Sequence, residues 1–398
     1  WLWTNEMPSR RVLDLTGGYG ANLLGHSHPR LTKKATEILA GQVPNMTQGS
    51  IRPEAGKLAT KMEKLLAVET GKKRWVTHFS NSGTEAVEAS LKFCQLHFTK
   101  TLDKFRQQIV LNKNTLLYKL SQGLFSLQQK GELHNKLICL TETKGTTEEL
   151  IHLHFENCLK KLDVGPVMGA FEKAFHGKTL GALNLNGNPK LQAGFRSNLE
   201  TLSVKQNSSA LKEAFELHRV SFILIDDKTL ISREVDFSKI AGFFVEPIQG
   251  EGGIYEIEAD ILNSLEEQTQ KSETSLLVSD EIQAGIFRTG KMTSLSHSDI
   301  VADLYCFSKA LGGGLAKIGA TAINSRVYQE EFGLLHTSTF AEDAFSSSIA
   351  LEVLEILEER EVLENAMTRG DELKRKLQEL ATDYPDIIAD VRGRGLMI

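Results

Sequence analysis

The chain predicts an α/β fold: a mainly parallel sheet with helices on both faces, and a smaller α+β domain formed from the chain ends. Three observations lead there. Short apolar runs at Phe222–Asp226, Phe243–Glu246, Leu276–Ser279 and Leu304–Phe307 are separated by stretches of helical periodicity, the signature of strands buried on both faces. At 398 residues the chain is too long for one minimal core. From about Glu342 the pattern turns strongly helical and then closes in a strand-like run over 386–398, which reads as the start of a second domain.

Taken in order, residues 11–31 read as a short strand, a glycine turn and a helix start, with Pro29 in the first turn of a helix running through Leu39. Residues 54–70 carry apolar positions at helical spacing, and Gly71 suits the C-cap. Residues 74–93 pass from strand to polar turn to helix. Residues 99–166 stand apart: rich in Leu, Lys, Gln and Glu, with four glycines and one proline, they predict two or three helices interrupted near Thr141–Thr147. This segment is an insertion without a catalytic motif.

Composition narrows the function classes. A net charge of −5 with no clustered Lys/Arg motif argues against nucleic acid or an anionic membrane as partner. No apolar run approaches the roughly 18–20 residues that span a bilayer. The four cysteines form no CxxC pair, Cys306 reads as a small buried hydrophobe, and a reducing cytoplasm is the default compartment. His152 and His154 lack the carboxylates or cysteines that complete a ligand set, so no metal is expected. The chain starts Trp1-Leu2-Trp3 and stops at Ile398, which reads as a fragment.

The chemistry is carried by a pair of strand ends. LLVSDEIQ (276–283) ends a strand in Asp280, and DLYCFSKALGGG (303–314) ends one in Lys309 backed by three glycines. A lysine that acts as an amine needs a rigid base and room around its nitrogen, and a carboxylate nearby can keep a heterocyclic nitrogen protonated. Pyridoxal phosphate (PLP) catalysis requires both. Ser82, Gly83 and Thr84 lie at a strand-to-helix turn that aims free N–H groups and the helix dipole at one point, an anion site; Ser82 or Thr84 alone could equally be an ordinary N-cap. Phe175-His176-Gly177 offers an aromatic face beside a glycine, suited to stacking on a pyridine ring, although a core phenylalanine would look the same. Glu246 ends an apolar run before a glycine-rich loop carrying Glu251, where α/β folds bind ligands.

Together these motifs resemble the class III (omega) aminotransferases of PLP fold type I. The resemblance runs from Asp14–Gly18 and GHSHP (25–29) through SNSGTEAVEASLK, FHGKTLGAL, VEPIQGEGG, LLVSDEIQAGIFRTGK, DLYCFSKALGGG and HTSTF (336–340) to RGRGLM, leaving out 99–166. It implies that Lys309 forms the Schiff base and shuttles the proton, and that Asp280 pairs with the pyridine nitrogen. Gln283 lies near the phenolic oxygen; Ser82, Gly83 and Thr84 bind the phosphate; Phe175 stacks on the ring with His176 beside it. Glu246 lies close to the cofactor and Glu251 gates the substrate side. Thr339 reaches the phosphate of a neighbouring subunit, which implies a homodimer with shared active sites. Tyr19 and Ala21 line the substrate pocket. In domain terms, 1–45 belongs to the small domain, dimer contact and substrate access region, 46–340 is the large PLP-binding domain, and 341–398 holds linking helices and a truncated small domain. The implied reaction is ping-pong transfer of an amino group from an amino donor to an aldehyde or keto acceptor. Aminomutase or decarboxylase chemistry on the same scaffold, or a silent binding domain, are the rivals. AEDAF (341–345) replaces the family's glycine-rich continuation, and the insertion suits a partner contact or a domain of a larger biosynthetic enzyme.

Overall fold

The structure, a computed structural model, describes residues 2–46, 49–195 and 197–398. Seven strands make the central sheet: β1 (Trp75–Ser80), β2 (Val167–Phe171), β3 (Glu200–Val204), β4 (Ile240–Val245), β5 (Leu276–Asp280), β6 (Leu304–Phe307) and β7 (Gly319–Asn324). Their spatial order is β1-β7-β6-β5-β4-β2-β3. β7 pairs antiparallel with β6 and β1, while β6-β5, β5-β4, β4-β2 and β2-β3 are parallel. Six strands therefore share one direction, and their carboxyl ends form one rim.

Period-two alternation divides the sheet residues between two cores. Phe171, Phe243, Val245, Leu277, Tyr305 and Phe307 face one side, with the helices Pro29–Ala40, Pro53–Thr70 and Ala344–Leu357. Met168, Ala170, Phe244, Leu276, Val278, Leu304 and Cys306 face the other, against the helix Gly83–Ser121 and the insertion.

The expected helices at Pro29 and at 54–70 are present as Pro29–Ala40 and Pro53–Thr70, and Gly71 ends the second at φ +67°. One expected strand has a different place. Arg219–Ile225 joins no central strand and pairs antiparallel with Ser232–Ser238. Asp226 sets the hairpin turn by accepting from Lys228 N, Thr229 N and Thr229 Oγ1, and Phe222 and Leu224 pack toward the insertion. β2, β3 and β7 take the sheet positions instead. The closing run 386–398 is also not a strand: Gly393 (φ +113°) and Gly395 (φ +56°) turn the chain back, leaving one isolated bridge between Arg394 and Met397.

The insertion has no break at residue 99, because the helix beginning at Gly83 runs unbroken to Ser121. Helices Leu127–Thr141 and Thr147–Lys160 follow, each opened by a capping box, Ser126 with Gln129 and Thr146 with Glu149. Glu142 at φ +52° ends the first, at the expected interruption. Side chains from this bundle cover the outer edge of the hairpin. Lys161 Nζ donates to Ser221 O (2.7 Å), Cys158 Sγ to Ile223 O (3.4 Å) and Asn112 Nδ2 to Ile225 O (3.0 Å). These are alternate carbonyls of a strand edge that would otherwise be open.

The two chain ends meet at the loop after β5. Arg288 donates to Gly20 O (2.6 Å) and Leu396 O (3.4 Å), while Arg392 donates to Gly253 O (2.7 Å) and covers the Tyr255 ring.

Candidate active site

Five parallel strands deliver their following residues to the same rim: Asn81–Thr84 after β1, Phe175–Gly177 after β2, Glu246 after β4, Asp280 at the end of β5 and Lys309 after β6. They enclose a cavity of about 200 Å³ lined by Gly83, Thr84, Phe175, His176, Gly177, Glu246, Asp280, Ile282, Gln283, Ser308 and Lys309. A larger opening of about 740 Å³ adjoins it; Phe175 and Lys309 line both, and Tyr19, Lys173, Lys178 and Glu251 line the opening. Of the residues expected from sequence, Ser82 caps the helix behind the turn, while Ala21 and the exposed Thr339 line neither cavity.

Asp280 is held on both oxygens. Ile282 N donates to Oδ1 at 3.0 Å, and His176 Nδ1 lies 2.7 Å from Oδ2. His176 therefore sits behind the carboxylate and orients it, a role that the sequence position beside Phe175 did not disclose. Burial disfavours the charged imidazole, but the hydrogen bond and charge of Asp280, with Glu246, outweigh it and raise its pKa. Glu246 accepts from Phe175 N (2.8 Å) and Gly250 N (3.3 Å), clamping the ring-bearing turn to the glycine loop. Burial pushes the Glu246 carboxyl up to about 7, and Asp280 adds to this against His176.

Lys309 stands at φ +42°, a left-handed conformation that a lysine adopts only where its surroundings impose it. Burial lowers its pKa, opposed by Asp280, Glu246 and Glu251 and assisted by Arg288, so the amine gives up its proton more readily than a surface lysine. Gln283 Nε2 donates to Tyr19 O at 3.2 Å, bringing the N-terminal segment against the cavity.

The shape fits a flat ring with an anionic tail. A Cβ on Gly177 would fall 2.2 Å from Thr84 Oγ1, on Gly83 2.9 Å from Ile282, and on Gly250 1.4 Å from Gln283 Oε1. At Gly177, which is also at φ +128°, the contact extends to the Thr84 backbone and demands glycine, whereas at Gly83 and Gly250 the side-chain ends of Ile282 and Gln283 would have to move. The N–H groups of Ser82, Gly83 and Thr84 have no acceptor among the described residues, as an anion at the turn requires. Asn186 had escaped notice in the sequence. It is buried, accepts from His176 N (2.7 Å) and donates to Gly177 O (2.8 Å), fixing the turn. Its Asn-Gly dipeptide was the available signal.

The family described as aminotransferase class-III matches residues 2–398. The chain is 27% identical over 399 residues to the acetylornithine aminotransferase of Prochlorococcus marinus, covering 100% of this chain and 75% of that protein. It is 29% identical over 399 residues to the putrescine aminotransferase of Pectobacterium atrosepticum, covering 98% and 67%. Among solved structures, an aminotransferase of Bacillus anthracis superposes with a TM-score of 0.69 at 22% identity, covering 99% of this chain and 74% of that one. The ornithine aminotransferase of Toxoplasma gondii gives 0.68 at 20%, covering 98% and 72%, and has PLP at its active site. The chain belongs to the class III aminotransferases, and is a PLP-dependent transaminase with the α/β fold of that family.

Proposed function

We propose that the 200 Å³ cavity is the PLP site and that amino groups pass there between an amino donor and a carbonyl acceptor. The observation that carries this is that Lys309, Asp280 and the first two residues of a helix start, Gly83 and Thr84, line one cavity, with the N–H groups of that start free of acceptors among the described residues. When bound, PLP supplies an electron sink that loosens the bond from the substrate's α-carbon to hydrogen. Lys309, whose pKa burial lowers, takes that proton as a base and returns it as an acid. Asp280, its oxygens fixed by Ile282 N and His176, holds the ring-nitrogen proton. Phe175 stacks on the ring, Ser82, Gly83 and Thr84 hold the phosphate, Gln283 approaches the phenolic oxygen, and Glu246 stands nearby.

Tyr19 and Glu251 face the substrate in the outer opening, with Lys173 and Lys178 also at its walls. Charges of both signs there suit a donor carrying a second charged group beyond its amine, in line with relatives that act on acetylornithine and putrescine. A second copy of the chain covers the face around Leu39 and Phe340, which are 70% and 68% exposed beside a further cavity of about 530 Å³. That copy brings its Thr339 to the phosphate. In this reading 1–45 and 341–398 contribute to a smaller domain around the large one (46–340), and the enzyme works in the cytoplasm, where its four free cysteines stay reduced. No helix of the described residues is long and apolar enough to cross a membrane.

The test is a half-reaction. With donor alone, one carbonyl product per site appears, and an acceptor added later is aminated. Release of carbon dioxide instead would establish a decarboxylase, and an isomerised donor an aminomutase.

A further inference from the structure

Among the described residues, three helix starts have a Ser or Thr N-cap followed three residues on by Glu or Gln, and one of them is built differently. In the insertion, Gln129 accepts the N–H of its own N-cap Ser126 (3.0 Å), and Glu149 that of Thr146 (2.8 Å). This is the ordinary reciprocal box. At the helix Gly83–Ser121, Ser82 performs its half, accepting from Glu85 N at 3.4 Å. Glu85 does not return the bond. Its Oε2 reaches one residue further back, to Asn81 N (2.5 Å) and Asn81 Nδ2 (3.1 Å).

The shift by one residue has two effects. The Ser82 N–H stays free, beside those of Gly83 and Thr84, so the turn offers three free donors in place of two. A carboxylate bonded to Ser82 N would also have set a negative charge where an anion must come, and at Asn81 it stands back from that point. Asn81 Nδ2 further donates to Ser338 Oγ (3.1 Å), so the same clamp ties the turn to the segment 336–340.

We infer that Glu85 is a positioning residue for cofactor binding: by capping Asn81 instead of Ser82, it keeps the phosphate turn open with all three N–H groups aimed outward. This rests on the reading that residues 82–84 hold the PLP phosphate, and it concerns a residue that touches neither cofactor nor substrate.

Equilibrium dialysis of the full chain with PLP and with pyridoxal, which lacks the phosphate, separates the possibilities. Glu85→Ala is expected to weaken PLP about tenfold, the value of one charge-assisted hydrogen bond, while pyridoxal binds as before. Glu85→Gln, which still presents an oxygen to Asn81 N, is expected to recover most of the loss. Thermal melting of the cofactor-free protein checks that both variants fold. If Glu85→Ala weakens both ligands equally or neither, the residue only stabilises the helix and the inference is overturned. If the unaltered protein binds pyridoxal as tightly as PLP, the phosphate-turn reading itself falls. A kept preference in the unaltered protein with an unchanged preference in Glu85→Ala removes the role of Glu85 alone.

Discussion

The cofactor cradle and the insertion with its hairpin lie on one sheet but are built by opposite rules. In the cradle, glycines stand where a Cβ would collide, a lysine is held at positive φ, and Asp280, Glu246 and His176 are buried, with Glu281 buried behind it on the loop after β5. Each buried carboxylate is kept there by several donors; Glu281 alone accepts from Ser279 Oγ, Ser294 N, Ser294 Oγ and Leu295 N. The insertion buries Leu116, Leu133, Leu137, Ile151 and Phe155 and closes its later helices with ordinary caps. One region holds charge out of water for chemistry, and the other removes apolar surface from water for stability. Mutations should therefore separate: in the cradle they should change rate at little cost in folding, and in the insertion the reverse.

The largest effect is expected at Lys309. Lys309→Ala should cut turnover by about 10⁴-fold or more and abolish the PLP absorbance band, with thermal stability nearly unchanged. Asp280→Asn should follow at about 10²-fold or more in kcat, measured at saturating donor with the fold checked by circular dichroism. Leu137→Ala is the converse: a fully buried insertion residue whose truncation should cost about 2–5 kcal/mol in denaturant unfolding and leave kcat as it was. A fall in kcat in the folded Leu137→Ala protein would break the comparison.

The smaller effects are in pH. Glu246, raised from 4.5 to about 7, holds a proton in the folded protein that the unfolded chain has lost, so its stabilisation is complete below pH 4.5 and disappears as pH rises through about 7. His176, Asp280 and Lys309 face it across the cavity. Glu246→Gln should flatten that limb of the stability profile. In the insertion the sign is opposite. Burial lowers the pKa of His154 below 6.5, so the unfolded state binds the extra proton and stability falls as pH drops below 6.5. His154→Phe should flatten the acid limb only, the smallest change of the five. Unfolding titrations between pH 4 and 8 read both.

What the sequence disclosed follows the same division. Lys309, Asp280, Gly83 and Phe175 were legible because the chemistry demands those residue types at strand ends, and the structure brings them to one cavity. Asn186, Glu85 and the place of His176 behind Asp280 were not, since each acts through a neighbour distant in the chain or through a cap displaced by one residue. The insertion was legible as helices from its periodicity, but its start was not, because the helix passes residue 99 without a break. Phe222–Asp226 was misplaced for a related reason: an apolar run reports burial, and burial under the insertion looks the same as burial in the sheet.

The side chains that cover the hairpin edge have a consequence for descent. Three main-chain oxygens of Arg219–Ile225 depend on Asn112, Cys158 and Lys161, all within the long insertion. A lineage that lost the bundle by deletion would leave an open strand edge with Phe222 and Leu224 exposed to water, and one that gained the ribbon alone would have nothing to shelter it. A related chain carrying the hairpin is therefore expected to carry the bundle as well.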